Sequence, residues 1–473
     1  MGDNLKTKVV HGAIWAYLER FSVQGMQFVV GMILARLLTP ADYGTLAIMM
    51  SAVFVLGLIG DCGISRALVQ KKEISETDAN TVFYFNLGLT LLLYLGLFLA
   101  APLFVSFYGD PRLCPALRTI GLMMIFSSLD AVQNVMISRE FKFNLSFRIS
   151  LAAMAAQGAT GIALAYLGYG VWALVFSTLA GSATGTAMRI ALIRWRPRLL
   201  FSLSSLRGLF GYGWKLMVGS IVGRSYSYIY DFVIGKIYSR ADLGVVNKAK
   251  TLPGMLVYNL EGSLMRAVFP AFTKMQDDPA RLKKALSRTF VAVSVVVYPF
   301  LMLGMVAASR VIELLYGSQW VAGAPFFAAS CYCFALISIN RINEQAVNAV
   351  GRTDVSLRNQ VTLTVIELAI LAIFARDGLW RLTALTCFGS CSFMFLVISW
   401  SNGRVHGYTI LEQFRDLAPT VAVLALIAAP VYFVGTLFDG HSPIELVAAL
   451  AAETALAAAL YLPYAIFRLR RIR

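Results

Sequence analysis

Groups that do chemistry are scarce in this chain. Its 473 residues include three histidines, six cysteines and 25 acidic residues, against 41 Lys and Arg. His11, His406 and His441 are scattered, and none lies near Cys387 and Cys391, the one cysteine pair at i, i+4. The cysteines fall nearly all within or at the end of apolar runs and read as small buried hydrophobes, so no metal or cofactor is expected. Asp277-Asp278 has no nucleotide fold around it and reads as a turn beside a helix. No GxxxxGK[ST] loop is present, which argues against direct ATP hydrolysis. Charge is short overall, at 14% of residues, where a soluble domain carries about 25%. With 58% hydrophobic residues, the chain is too apolar for water along its whole length.

What is abundant is long apolar runs. A spanning helix needs about 20 mostly apolar residues. Fourteen stretches qualify, near 12–36, 43–64, 81–107, 115–137, 146–168, 170–193, 209–237, 243–268, 286–308, 320–342, 357–375, 379–400, 417–437 and 444–467. The expected fold is therefore all-α and polytopic, with short connections that leave no room for a soluble catalytic domain. No A-x-A site follows the first run, and Lys6 stands where a myristoylation signal needs Ser or Thr.

Lys and Arg concentrate in alternate connections. With the N-terminus inside, the inner loops hold Lys71 and Lys72; Arg139, Lys142 and Arg148; Arg194, Arg196, Arg198 and Arg207; and Lys274, Arg281, Lys283, Lys284 and Arg288. The tail adds Arg468, Arg470, Arg471 and Arg473. This pattern places both termini in the cytoplasm and accounts for most of the net charge of +16. The basic residues serve topology and contact with anionic lipid; they do not form a nucleic-acid surface.

One phrase is written twice. Residues 33–44 read ILARLLTPADYG, and residues 233–244 read VIGKIYSRADLG. At the same offset of 200, Asp61 aligns with Glu261, Arg66 with Arg266 and Ala67 with Ala267. Thr39 with Asp42, and Ser239 with Asp242, have the spacing of a helix-starting capping box. The register predicts two six-helix copies, residues 1–200 and 201–402, entering the membrane in the same direction. Two further spans and a basic tail occupy 403–473. Parallel repeats of this kind are an architecture of secondary transporters, with the substrate path at the repeat interface.

Intramembrane polar residues mark the expected path. Arg20, Gln24 and Gln27 share one face of span 1; Ser220, Arg224, Ser227 and Asp231 share one face of span 7. Lys215 lies lower on span 7, and Lys248 and Lys250 lie on span 8 beside a kink expected at Pro253-Gly254. Bases outnumber the nearby acids Glu19, Asp231 and Glu261. An excess of positive charge in a membrane calls for water or an anion. Arg20, Gln24, Gln27, Lys215, Arg224, Ser227, Lys248 and Lys250 are thus the candidate binding residues, and Glu19, Asp231 and Glu261 the candidate coupling acids. Salt bridges tying helices together are the competing reading for any one of them.

ARLLTPADYGTLAI at 35–48, its echo KIYSRADLGVV at 236–246, DCGISRALVQKKE at 61–73 and the six-plus-six-plus-two layout carry a resemblance. Over essentially its whole length the chain resembles the bacterial polysaccharide-transport, or Wzx-type, flippases of the multidrug/oligosaccharidyl-lipid/polysaccharide flippase superfamily. The resemblance implies an inner-membrane protein that moves undecaprenyl-pyrophosphate-linked oligosaccharide to the periplasmic leaflet by alternating access, without covalent chemistry. It also implies polysaccharide polymerase and export machinery as partners. Two other readings stand beside it: a drug or cation antiporter of the same superfamily, which calls for an acidic cavity, and a membrane polysaccharide polymerase, which calls for a large periplasmic loop.

Overall fold

The computed structural model describes residues 22–140, 142–438 and 442–472, without the side chains of 143, 260–267 and 472. Every regular element among them is helical. The chain packs as two compact units, residues 1–244 and 245–473.

In the first unit α1 (Ser22–Leu37) leads through a tight turn into α2 (Pro40–Asp61). The turn is fixed by a full capping box. Thr39 Oγ1 accepts from the Asp42 amide, the Thr39 amide donates to Asp42 Oδ2 at 3.0 Å, and Pro40 occupies the first helical turn, where its missing N–H costs nothing. Cys62 and Gly63, both left-handed (φ 46° and 68°), end α2 and turn the chain into the short α3 (Ile64–Gln70). A second capping box, Ser75 with Asp78, opens α4 (Glu76–Tyr108). The next span is broken into α5 (Leu113–Ile120), α6 (Leu122–Leu129) and α7 (Ala131–Arg139), bent by 46° at Asp130. The bend frees backbone groups that lipid cannot satisfy. Thr186 answers with its one hydroxyl set between two acceptors, 2.7 Å from Asp130 Oδ2 and 3.1 Å from Phe126 O, and Arg189 pairs with the same carboxylate at 2.6 Å. Both come from α9 (Val171–Leu192), which packs along α8 (Phe143–Tyr166). The long α10 (Leu203–Ile237) lies against α2, α3 and α4, so the unit extends past position 200.

The two copies of the repeated phrase meet inside this unit. α11 (Arg240–Thr273) begins beside α2. A Cβ added at Gly44 would collide with Arg240 O, and one added at Gly244 would collide with Pro40 O. The contacts are reciprocal, as across a two-fold axis. The Arg240 guanidinium pairs with the buried Asp110 carboxylate and closes the junction.

In the second unit α12 (Pro279–Val306) packs on α14 (Ala324–Ala349), with α13 (Ala308–Tyr316) and a 3-10 turn (Ser318–Gly323) between them in sequence. α15 (Thr353–Phe374) follows. The next span is α16 (Leu379–Ala384), a π turn (Leu385–Ser390) and α17 (Cys391–His406). α18 (Ile410–Thr436), opened by a Thr409–Glu412 capping box, and α19 (Pro443–Ile472) complete the unit. Fully buried Gln413 ties three elements together: Asn343 and Ser399 each donate to its Oε1 at 2.8 Å, and its Nε2 donates to Tyr408 O at 3.0 Å.

Ten described helices are long and apolar enough to cross a membrane, or eleven with the bent pair. The expected fourteen is therefore not reached by this measure. The first part of span 1, up to residue 21, lies outside the described residues, and its remainder, α1, is shorter than a full span. α10 and α11 have the length but not the apolarity: they carry Lys215, Arg224, Asp231, Lys248 and Lys250 in their spanning stretch.

Candidate substrate-binding site

One face of α10 is closed at both ends and open in its middle. Near its start, Leu209 and Gly213 are buried, and a Cβ on Gly213 would lie 2.8 Å from Cys62 O. Near its end, Ile234 and Gly235 are buried, and a Cβ on Gly235 would lie 2.7 Å from Ile48 Cδ1 of α2. Arg224 stands eleven residues after Gly213 and eleven before Gly235. At 3.6 residues per turn, eleven residues return to nearly the same face, roughly 16 Å along the axis. Arg224 lies on the line joining the two contacts, yet it is exposed, as is Ser227. Gly219 and Gly223 meet nothing within 4 Å of a built Cβ. The helices touch at two points and part between them, and the arginine stands in the opening.

The stripe divides chemically. Among the described residues Arg224 has no ion pair or hydrogen bond, and neither do Lys215, Ser227 and Gln27, all exposed. Gln24 is half-buried, with its Oε1 lacking a partner. Ser220 donates to Leu216 O. Asp231 is bound to another helix: Ser51 Oγ of α2 donates to its Oδ2 at 2.6 Å. Glu19, Arg20 and the side chain of Glu261 lie outside the described residues.

Lys248 and Lys250 belong to the second unit. Lys248 is 8% exposed, with Nζ 4.6 Å from the Tyr316 ring centroid, a cation–π contact inside a packed layer. Lys250 lies in the electrostatic range of Glu367 and Cys387. Cys62, Cys331, Cys387 and Cys391 are buried and free. Among the described residues no group of three His, Cys, Asp or Glu is placed to hold a metal.

Two features were not singled out in the sequence. Glu453 of α19, 0% exposed, pairs with Arg310 at 3.1 Å, against a backbone opened by Gly435. The second unit also holds an apolar cavity of about 750 Å³, lined by Leu301, Met302, Leu336, Phe395, Leu417 and Val421 among others. Neither has a local signal: single acids and Leu/Ala-rich helix faces are ordinary in spanning segments.

A family model described as "Polysaccharide biosynthesis protein" matches residues 33–325. The chain is 27% identical over 97% of its length to the succinoglycan biosynthesis transport protein ExoT of Rhizobium meliloti (strain 1021), covering 92% of that protein. It is 24% identical over 78% of its length to the lipopolysaccharide biosynthesis protein WzxC of Escherichia coli (strain K12), covering 76% of it. Its fold matches a structure of the lipid II flippase MurJ in an inward closed conformation, with a TM-score of 0.77, 14% identity and coverage of 98% of this chain and 100% of that one. An inward-facing multidrug resistance MATE transporter matches with a TM-score of 0.60 over 83% of this chain and 98% of its own, also at 14% identity. The chain belongs to the polysaccharide biosynthesis protein family of polytopic membrane proteins.

Proposed function

We propose that this protein is a flippase for undecaprenyl-pyrophosphate-linked oligosaccharide repeat units in the bacterial inner membrane, serving capsule, exopolysaccharide or O-antigen synthesis. The observation that carries the reading is Arg224, an exposed arginine in the middle of a helix that is sealed to its neighbours on both sides. A guanidinium binds phosphate through two parallel hydrogen bonds, and a diphosphate presents enough acceptors to use the fork. Lys215 and Ser227, on the same helix, extend the polar surface. The 750 Å³ cavity, lined mainly by apolar side chains, suits a hydrocarbon chain better than a sugar. Family membership and the names of its relatives agree with a role in polysaccharide export.

The function requires no bond making. The headgroup needs a charged, hydrated foothold part-way across the membrane, and Arg224, exposed between the two contacts of α10, supplies the charge. A basic opening disfavours the drug or cation antiporter, since it repels cationic cargo. We further propose that both termini are cytoplasmic, in keeping with the Lys and Arg distribution. Gene deletion tests the reading. Completed lipid-linked repeat units should accumulate on the cytoplasmic face, and polymer export should stop. Unchanged export and no accumulation would contradict it.

A further inference from the structure

The first unit contains a small, mostly apolar cavity, separate from the α10 stripe, whose few oxygen-bearing side chains have the makings of a cation site. It measures about 120 Å³ and lies where the end of α2 meets α4 and the bent α6–α7 span. Its polar lining is Asp61, Asn86, Thr90, Ser127 and Ser128, and it contains no basic residue. The rest is Val53, Phe54, Met123 and Met124, with glycines and an alanine; Phe54 and Ser127 are exposed, so the cavity opens at the surface of the unit.

Asn86, Ser127 and Ser128 each have a donor turned elsewhere. Asn86 is 2% exposed; its Nδ2 donates to Ser65 Oγ at 3.3 Å, and its Oδ1 is buried without a partner. A buried carbonyl oxygen left this way costs about 1–3 kcal/mol, so it marks a missing ligand or a defect. Ser127 Oγ donates to Met123 O at 3.0 Å and Ser128 Oγ to Ile125 O at 2.8 Å, which leaves lone pairs for the cavity. Thr90 Oγ1 lies 3.0 Å from where a Cβ on Gly60 would stand, against the backbone beside Asp61.

Asp61 supplies the charge, and it does so in an unfavourable place. It is the last residue of α2, at the negative end of the helix dipole, and no basic residue lies in that last turn. Among the described residues it has no hydrogen bond or ion pair. This half-buried carboxylate at a helix C-terminus lines the same cavity as the orphan amide oxygen, where a cation would supply its counter-charge.

We infer that this cavity binds a monovalent hard cation of the size of Na⁺, through Asp61, the Asn86 amide oxygen and the Thr90, Ser127 and Ser128 hydroxyls. Hard cations take carboxylate, carbonyl and hydroxyl oxygens. One carboxylate among neutral oxygens matches a single positive charge, whereas Ca²⁺ sites gather several. The volume admits an ion and a few waters, at about 30 Å³ each. Binding would join α2, α4 and α6 around the ion. Service as the coupling ion rests on the transport reading; the binding does not.

The test uses the purified full-length protein without substrate, so its outcome is independent of flipping. Unfolding temperature is followed while NaCl replaces choline chloride at constant ionic strength, and again with KCl and CaCl₂. Na⁺ should give a saturable rise, Asp61→Asn should abolish it, and Asn86→Leu should weaken the half-saturating concentration at least about tenfold. Ser127→Ala, a milder change that keeps the fold, should shift the midpoint without removing the response. An equal rise in choline, a Na⁺ response that survives Asp61→Asn, or a larger effect of Ca²⁺ would overturn the assignment. So would a rise produced by acid alone to which Na⁺ adds nothing, since that pocket would take a proton.

Discussion

Gly44 and Gly244, two hundred positions apart, each make room for the start of the other's helix. A methyl on either would strike the backbone carbonyl of residue 240 or residue 40. The repeated phrase therefore has a packing purpose: each copy supplies a capped helix start and a bare patch to receive its twin. Backbone cannot move aside as a side chain can. Gly44→Ala and Gly244→Ala should each lower the unfolding temperature and polymer export, at about 1–3 kcal/mol for overpacking. Gly88→Ala is the control, because nothing lies within 4 Å of its built Cβ. It should be neutral or stabilising by up to about 1 kcal/mol, as alanine is in a helix interior. Equal behaviour of the three variants in thermal unfolding would remove this account of the repeat.

The Arg224 assignment predicts a specific mutational pattern. Arg224→Ala should reduce export at least about tenfold with expression and insertion unchanged, because its side chain has no partner among the described residues to destabilise. Arg224→Lys should rescue only in part, since a point charge does not reproduce the fork. Adding Asp231→Ala should not restore function. Asp231 is held by Ser51, and removing it deletes a contact between α10 and α2. Recovery in the double variant, read as polymer at matched protein level, would assign Arg224 to a buried ion pair.

Ser51→Ala should act on stability. It leaves the Asp231 carboxylate without the 2.6 Å hydroxyl bond, at a cost of about 1–3 kcal/mol. Ser51→Thr keeps the hydroxyl and should retain most of it. Thermal unfolding of the purified variants separates them; identical values for Ala and Thr would show that the hydroxyl contributes nothing.

The Arg310–Glu453 pair should behave as a buried ion pair. Arg310→Met or Glu453→Leu alone strands a charge and should cost about 3–5 kcal/mol, while the two together should recover most of the loss. Unfolding of the two singles and the double gives the coupling directly. Additive losses would show that the two side chains do not depend on each other.

Much of this was legible because membranes restrict the grammar. Apolar runs announced an all-helical protein, and the capping boxes at Thr39 and Ser239 marked helix starts that the structure places there. The stripe on α10 was visible as period, but its meaning was not. Arg224 and Asp231 share one face, and only the packing of α2 shows that one stands in an opening while the other is tied down. Lys248 looked equally cationic and is buried over Tyr316. The candidate cation cavity draws on three helices far apart in sequence, so Asn86 and Ser128 carried no local signal. The count of fourteen spans is not confirmed by length and apolarity alone, because α10 and α11, as long as their apolar neighbours, carry charges along them.

Reconstitution tests the central claim most directly. Purified protein in liposomes, loaded with a fluorescent undecaprenyl-pyrophosphate oligosaccharide and followed by accessibility of the sugar to an external, membrane-impermeant reagent, measures transbilayer movement alone. The account predicts movement well above protein-free liposomes, retained in the Gly88→Ala protein and lost in the Arg224→Ala protein at equal reconstitution. Movement no faster than in empty liposomes, or undiminished in Arg224→Ala, would contradict it.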